Sequence, residues 1–156
     1  MTRRHPSALL ASLCVSALLL ACVLPASGAG REECERQFKP EIGQPGKDVM
    51  WVPTSDALVA RMLKMAQVTS TDYVYDLGAG DGKIAIAAAR DFGAQAVGVE
   101  YEPQLAQLAR CYVKAEQLSE RVHIIQGDVY KTDFSNATVV TLYLLPDLNL
   151  RLRPTI

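Results

Sequence analysis

The sequence predicts a doubly wound α/β fold, in which helices cover both faces of a parallel β-sheet. Short runs rich in Val, Ile and Tyr alternate along the chain with segments of about ten to sixteen residues that carry apolar residues at helical spacing. The short runs are apolar on both faces, which is typical of strands buried between two layers of helices. Segments of this length are long enough for right-handed helical crossovers between parallel strands. Together these three observations favour the doubly wound class.

The first half of the predicted domain contains a helix, a strand and a second helix. Thr54-Ser55-Asp56 is a helix-start signal, and the residues that follow it have helical spacing: Ala57, Leu58, Val59, Met62, Leu63 and Met65. The strand at residues 73–77 (YVYDL) runs into a glycine-rich turn at residues 78–82 (GAGDG). The helix at residues 83–92 is rich in Ala and Ile and stops at Gly93, because glycine readily adopts the left-handed conformation that ends a helix.

The second half repeats this alternation. Its predicted elements are a strand at residues 96–100 (AVGVE), a helix opened by Pro103, a strand at residues 122–126 (VHIIQ) and a strand at residues 138–143 (TVVTLY). Proline is favoured in the first turn of a helix. The residues after it form one apolar stripe: Leu105, Leu108, Ala109 and Tyr112. Gly127-Asp128 ends the third strand, and Pro146 follows the fourth.

Composition and charge indicate one globular domain. Of the 156 residues, 49% are apolar and 21% are charged, which supports a hydrophobic core and excludes a disordered chain. Lys and Arg number 16 and Asp and Glu number 17, so the net charge is −1, and there is no basic block from which to predict a nucleic-acid partner. The His, Cys and Asp residues show no metal-ligand spacing, so no metal site is predicted.

Residues 1–29 are predicted to be a leader. Arg3 and Arg4 supply a positive start, residues 8–24 are almost wholly apolar, and small residues follow up to a cleavage position after Ala29, all of which is typical of a signal peptide. Two alternatives stay open. Cys22 ends a lipobox-like sequence and would be lipidated, or the 17 apolar residues would form an uncleaved membrane anchor. We therefore expect an exported, periplasmic protein, with membrane attachment through this segment as the alternative.

Residues 30–50 are polar and rich in Pro and Gly, which predicts an irregular lead-in to a domain at residues 51–156. Loss of the leader would remove two arginines and no acid, so the net charge would fall from −1 to −3. Cys34 and Cys111 would remain. Because Cys111 lies in a strong helical pattern, we expect a small buried thiol there instead of a disulfide.

The chemistry-bearing residues follow the ends of the first three predicted strands. In doubly wound folds ligands bind at the carboxyl ends of the strands. Asp76 and the glycine-rich turn end the first strand, but Lys83 stands where a dinucleotide-binding fingerprint has its third glycine. The carboxylates of Asp76 and Asp81 would repel a pyrophosphate, whereas they would attract a ligand that carries an ammonium and a sulfonium.

Two further acids complete this pattern. Glu100 ends the second strand, 24 residues after Asp76, where a carboxylate accepts hydrogen bonds from both hydroxyls of a ribose. Asp128 follows the third strand and suits the exocyclic amine of adenine, with Val129 beside it to pack on the ring. The sequence therefore predicts a site for S-adenosylmethionine (SAM).

With these features, the sequence resembles the class I SAM-dependent methyltransferases over roughly residues 52–154. Four motifs resemble a narrower group, the small bacterial relatives of mitochondrial protein-lysine N-methyltransferases: Val52-Pro53-Thr54, residues 75–82 (YDLGAGDG), residues 126–128 (QGD) and residues 140–146 (VTLYLLP). The resemblance implies a Rossmann-like parallel sheet with strand order 3-2-1-4.

The resemblance also assigns a part of the cofactor to each strand end. The methionine part would be held by Asp76, Gly78, Gly80, Asp81 and Gly82. The ribose would be held by Glu100, and the adenine by Gly127, Asp128 and Val129. Residues 143–146 would lie beside the transferred methyl group, which makes Tyr143 a weak candidate for a catalytic residue.

The function that the resemblance implies is methyl transfer from SAM to an amine, with a protein lysine as the expected acceptor. Members of the family carry seven strands and only four are predicted here, so we expect the cofactor-binding half alone. The fourth strand would then be an edge strand with an uncovered apolar face. The alternatives are a non-catalytic SAM-binding remnant of a truncated gene and, less favoured, an NAD-type dinucleotide oxidoreductase.

Overall fold

The computed structural model describes residues 27–156, which are built around a four-stranded parallel sheet. Its strands are β1 (Tyr73–Leu77), β2 (Gln95–Glu100), β3 (Val122–Gln126) and β4 (Val139–Leu142). Its helices are α1 (Ser27–Gln37), α2 (Asp56–Met65), α3 (Lys83–Phe92), α4 (Pro103–Ala115) and α5 (Pro146–Leu152), followed by a short 3-10 turn (Arg153–Thr155). The sheet order is β3-β2-β1-β4, which confirms the predicted doubly wound class and its strand order.

The register of the sheet brings the three predicted strand ends together. Asp76 in β1 pairs with Gly98 in β2 on one side and with Thr141 in β4 on the other. Glu100 at the end of β2 pairs with Gln126 at the end of β3. Because all these strands are parallel, the turns that follow them lie along one edge of the sheet, where such folds bind their ligands.

One face of the sheet is covered by α2, α3 and α4, which form the larger core. The helix α3 is Ala-rich, so its buried face approaches the sheet closely; its buried residues are Ile84, Ala85, Ile86, Ala87, Ala88 and Ala89. The predicted ends of these helices are confirmed. Ser55 caps α2 by accepting a hydrogen bond from the Leu58 amide, and Gly93 ends α3 with a φ of +74°.

The other face of the sheet carries a smaller core. Phe134, in the segment between β3 and β4, and Leu152 of α5 pack with the buried residues of β1 and β2 on this face. Val140 and Leu142 of β4 are half-buried against the same cluster, so the expected uncovered face of this edge strand is wrong. Among the described residues, no helix is long and apolar enough to cross a membrane.

The segment predicted as an irregular lead-in instead begins with the helix α1, which packs on α4. A disulfide joins Cys34 of α1 to Cys111 of α4, so the expectation of an unpaired Cys111 is wrong. Arg31 forms an ion pair with Glu116, and the Tyr112 hydroxyl donates a hydrogen bond to Glu35 (3.1 Å). The helix α1 is mostly polar and has no apolar stripe, so hydrophobic periodicity in the sequence does not reveal it. Its contacts with α4 stabilise it instead.

The predicted leader, whether signal peptide, lipoprotein segment or membrane anchor, falls almost wholly in residues 1–26, outside the described residues. Its last three residues, 27–29, belong to the first turn of α1.

Candidate functional site

A cavity of about 410 Å³ lies at the carboxyl edge of the sheet. Its wall combines the glycine-rich turn after β1, the end of β2, the turn after β3 and the segment after β4. Eight of the ten residues predicted for the site line it: Asp76, Gly78, Gly80, Asp81, Glu100, Asp128, Val129 and Tyr143. The fold therefore gathers residues from four separate strand ends around one space.

The turn after β1 needs glycine for two reasons, its backbone conformation and its close neighbours. Gly78 and Gly80 have φ angles of +84° and +57°, in the left-handed region that favours glycine. A Cβ atom on Gly80 would stand 2.9 Å from Nε1 of Trp51, and one on Gly78 would stand 2.5 Å from Cδ2 of Leu144. These two glycines therefore let side chains from both flanks of the cavity close onto the turn.

Gly82 and Gly127 lie outside the cavity wall. Gly82 has a φ of +81° and is the N-cap residue just before α3, and a Cβ atom there would stand 3.0 Å from Cβ of Ala109 in α4. The Gly127 amide donates a hydrogen bond to the carbonyl oxygen of Glu100 (2.9 Å), which fixes the turn after β3. Both glycines shape the fold behind the site, and the cofactor contacts assigned to them stay predictions.

Glu100 links the glycine-rich turn to the start of α4. Its Oε2 accepts a hydrogen bond from the Gly80 amide (2.7 Å), and its Oε1 accepts one from the Glu102 amide (2.8 Å). Burial raises the pKa of Glu100, while these backbone amides act in the opposite direction. Each carboxylate oxygen has a second lone pair, so the pre-oriented side chain can still accept hydrogen bonds from a ligand.

Asp76 is the most deeply buried acid of the site, with 1% of its surface exposed. Its Oδ1 accepts a hydrogen bond from the Thr141 hydroxyl (2.8 Å), whereas its Oδ2 is buried and has no hydrogen-bond partner among the described residues. Burial raises the Asp76 pKa to about 7, and the nearby carboxylates of Asp81 and Glu100 act in the same direction. Burial also raises the pKa of Asp81. A cationic ligand group would relieve this concentration of negative charge.

Replacing Asp76 with Asn should make the stability of the protein less dependent on pH. The folded-state pKa of about 7 lies above the ordinary value of 3.8, so the folded state holds this proton more tightly than the unfolded state. Protonated Asp76 therefore makes its full contribution to the free energy of unfolding below pH 3.8. Between pH 3.8 and the folded-state pKa this contribution falls by up to about 1.4 kcal/mol per pH unit, and above the folded-state pKa it is lost. The Asn side chain keeps the acceptor for Thr141 and cannot titrate.

Urea unfolding of both proteins across this pH range measures the effect. The free energy of unfolding of the Asp76→Asn variant should rise relative to wild type as pH increases. Asp133→Asn is the control, because the Ser135 amide lowers the Asp133 pKa below its ordinary value of 3.8, so the stabilisation from this carboxylate is lost only at lower pH. The difference between this variant and wild type should therefore stay nearly constant across the range in which Asp76 titrates. A difference between wild type and Asp76→Asn that is constant with pH would contradict the buried titration.

Asp128 follows β3, two strands away from Asp76 in the sheet, and is paired with a lysine. Its Oδ2 is 2.9 Å from Nζ of Lys47, and its Oδ1 accepts a hydrogen bond from the Tyr130 amide (3.0 Å). The hydrogen bond from Lys47 lowers the pKa of Asp128, so this acid, unlike Asp76, is readily ionised. The Lys47 ammonium also lies 4.7 Å from the centre of the Tyr101 ring.

Lys47 belongs to a hairpin at residues 43–51 that forms one wall of the cavity and that the sequence analysis missed. The Gly43 amide bonds to the carbonyl oxygen of Trp51 (2.9 Å), and the Gly46 amide bonds to that of Val49 (2.9 Å). Pro45-Gly46 followed by the apolar run Val49-Met50-Trp51 is a turn signal that could have indicated a hairpin, although nothing in it indicates which surface the hairpin covers.

Exposed apolar side chains surround part of the cavity. Tyr143 is 48% exposed at the end of the β4 segment, and Leu145 next to α5 is 56% exposed. Met50 and Val52 are 66% and 53% exposed on the hairpin side. All four residues line the cavity, so a ligand that approaches the carboxylates would pass apolar surface.

The family assignment agrees with this geometry. Residues 76–156, which contain the glycine-rich turn, Glu100 and Asp128, match the ANTKMT methyltransferase domain. The chain belongs to this methyltransferase family. The family resemblance predicted from the strand-end motifs is thereby confirmed.

Three proteins that are similar to this chain are named for their own methyltransferase activity. A protein-lysine N-methyltransferase of Saccharolobus islandicus is 43% identical over 107 residues, 68% of this chain and 66% of that protein. A lysine N-methyltransferase of Xenopus laevis, named for ATP synthase, is 35% identical over 98 residues, 63% of this chain and 42% of that protein. An RNA methyltransferase of Salinibacter ruber, solved with S-adenosyl-L-homocysteine (SAH), is 51% identical with a TM-score of 0.66, over 67% of this chain and 68% of that one.

Proposed function

We propose that this protein binds SAM in the cavity and transfers its methyl group to an amine, with a protein lysine as the acceptor. The observation that carries the proposal is the convergence of Asp76, Glu100 and Asp128 around one cavity, next to a turn whose three glycines all have positive φ angles. Family membership supports the same reaction class.

The residues of the cavity fit SAM in charge and in hydrogen-bonding capacity. The unpartnered Oδ2 of Asp76 is an acceptor for the ammonium of the methionine part. Glu100 is held by two backbone amides and would accept hydrogen bonds from the ribose hydroxyls. Asp128 would accept a hydrogen bond from the adenine amine, with Val129 beside it to pack on the ring.

SAM supplies a methyl group that its sulfonium already activates, so the protein mainly has to orient the acceptor and exclude water. The acceptor amine must be uncharged to act as a nucleophile. The exposed apolar surface of Tyr143 and Leu145 would desolvate a lysine ammonium and lower its pKa. We assign Tyr143 as a contact for the acceptor, and a catalytic role for it stays a proposal.

A protein lysine is the preferred acceptor because the Saccharolobus and Xenopus relatives are named as lysine methyltransferases. The Salinibacter relative is named as an RNA methyltransferase, so RNA is the acceptor to test against it. The chain spans 66%, 42% and 68% of these three relatives. The activity of this chain and its acceptor are therefore proposals.

Incubation of the purified full chain with methyl-labelled SAM and a cell extract tests the function. We expect label in protein, in methylated lysine after hydrolysis, and no label above background with a Gly80→Val variant. Label confined to RNA would contradict the lysine assignment. SAH binding without transfer to any fraction would favour the non-catalytic alternative. Binding of NADH in place of SAH would favour the oxidoreductase.

We also propose that the protein is exported, as its leader predicts. The disulfide between Cys34 and Cys111 supports this location, because disulfides persist in oxidising compartments and are rare in the cytosol. Fractionation of producing cells with mass spectrometry tests it. A chain that begins near residue 30 in the exported fraction would support the proposal, and a full-length chain in the cytosol with both thiols free would contradict it.

A further inference from the structure

Lys83 is a charged residue of the cavity that the proposed function leaves without a role. It follows the glycine-rich turn directly and is the first residue of α3, at the place where a dinucleotide fingerprint has glycine. Its side chain lines the cavity and is 28% exposed. Its ammonium lies 3.0 Å from Oδ1 of Asp56, and the Asp56 side chain is 92% exposed.

The charges of the cavity wall are unequally distributed. Six acids line it: Asp48, Asp76, Asp81, Glu100, Glu102 and Asp128. The basic residues among the described lining residues are Lys47 and Lys83. Lys47 lies at the end where Asp128 would hold the adenine, 2.9 Å from that carboxylate. Lys83 directly follows the turn after β1, which would hold the methionine part, two strands away from β3.

The methionine part of SAM is a zwitterion and places opposite demands on this end of the cavity. Asp76 and Asp81 suit its ammonium, but the same two carboxylates would repel its carboxylate. A cation beside the turn would offset that repulsion. The field of Lys83 reaches this region, since its charge lowers the pKa of Asp81 against the effect of burial.

We propose that the Lys83 ammonium binds the α-carboxylate of the methionine part of SAM. The inference rests on the proposed function, because it requires that the cavity binds SAM. Lysine suits this role, since its flexible stem carries a compact charge with three donors. The pairing with Asp56 shows that a carboxylate can reach this ammonium, and the Asp56 side chain, which is 92% exposed, would be solvated by water when Lys83 turns to another anion.

Two ligands that differ at the amino-acid end test the assignment. SAH carries the ammonium and the carboxylate, whereas 5′-methylthioadenosine lacks both and keeps the adenosine. In calorimetry with the full chain, Lys83→Met should weaken SAH binding by about tenfold or more, the effect expected for losing a charge-assisted hydrogen bond. The affinity for 5′-methylthioadenosine should stay unchanged.

Lys47→Met is the matched control, because it removes the same kind of side chain from the same cavity, next to Asp128 after β3. We expect it to change the affinities for SAH and 5′-methylthioadenosine by the same factor, whatever its size. Lys83→Arg keeps the positive charge and should recover most of the SAH affinity. Circular dichroism and thermal unfolding of each variant verify that it is folded.

A third ligand tests whether Lys83 binds the carboxylate of SAH and not its ammonium. Decarboxylated SAH keeps the ammonium, so Lys83→Met should not weaken its binding, and wild type should bind it more weakly than SAH. Equal losses for SAH and decarboxylated SAH, or no loss for either, would overturn the role of Lys83. Failure of wild type to bind SAH at all would instead overturn the proposed function.

Discussion

A Gly80→Val variant should lose SAH affinity by at least about a hundredfold, since clash and backbone strain together exceed roughly 2–3 kcal/mol. Gly80 has a φ of +57°, which β-branched residues rarely adopt, and its amide donates to Glu100. A Cβ atom there would stand 2.9 Å from Nε1 of Trp51. The larger side chain would displace Trp51 and occupy the cavity, so the Glu100 carboxylate and the turn would no longer be held together. Calorimetric titration with SAH measures the loss.

Gly43→Val is the matched control for backbone strain. Gly43 has a φ of +86°, in the same left-handed region, but a Cβ atom there would have no atom within 4 Å. It is the first residue of the hairpin at residues 43–51 but is not itself among the residues that line the cavity, and the variant keeps the amide that bonds to the Trp51 carbonyl oxygen. This variant should lose some stability and keep its SAH affinity within a few fold. Equal affinity losses for the two variants would show that strain alone, and not the close approach of Trp51, explains the effect at Gly80.

Removing the disulfide should lower the free energy of unfolding by about 4 kcal/mol, because the cross-link closes a long loop in the unfolded chain. Cys34 and Cys111 are 77 residues apart in sequence, and Cys34 is 2% exposed. The loss is a large share of the roughly 5–15 kcal/mol that a folded domain has in total. Guanidinium unfolding of a Cys34→Ser, Cys111→Ser double variant measures it.

A reducing agent provides the control for this experiment. It should lower the stability of wild type to about that of the double variant and leave the variant unchanged. The variant keeps Cys14 and Cys22, so any effect of reductant on it reports on those two residues. Wild-type stability that does not respond to reductant would contradict the pairing of Cys34 with Cys111.

Local signals in the sequence account for most of the fold. The strands β1, β2, β3 and β4 and the helices α2, α3 and α4 were all predicted, because apolar spacing and helix-end residues are properties of short segments. The turn after β1 was predicted for the same reason, since its glycines are contiguous with a strand and a helix. The helix α5 was missed because Pro146 was interpreted as ending a strand, whereas proline also occupies the first turn of a helix.

By itself, the sequence determined the fold class, the turn and the acids at the strand ends, because residue type and spacing encode them. Only the tertiary structure decided what lies opposite these acids. It pairs Lys47 with Asp128, sets Trp51 against Gly80 and joins Cys34 to Cys111. These partners are 81, 29 and 77 residues apart, and no local pattern marks them. Such contacts form only when packing of the whole chain brings distant segments together, so they belong to the folded molecule and not to any one segment of it.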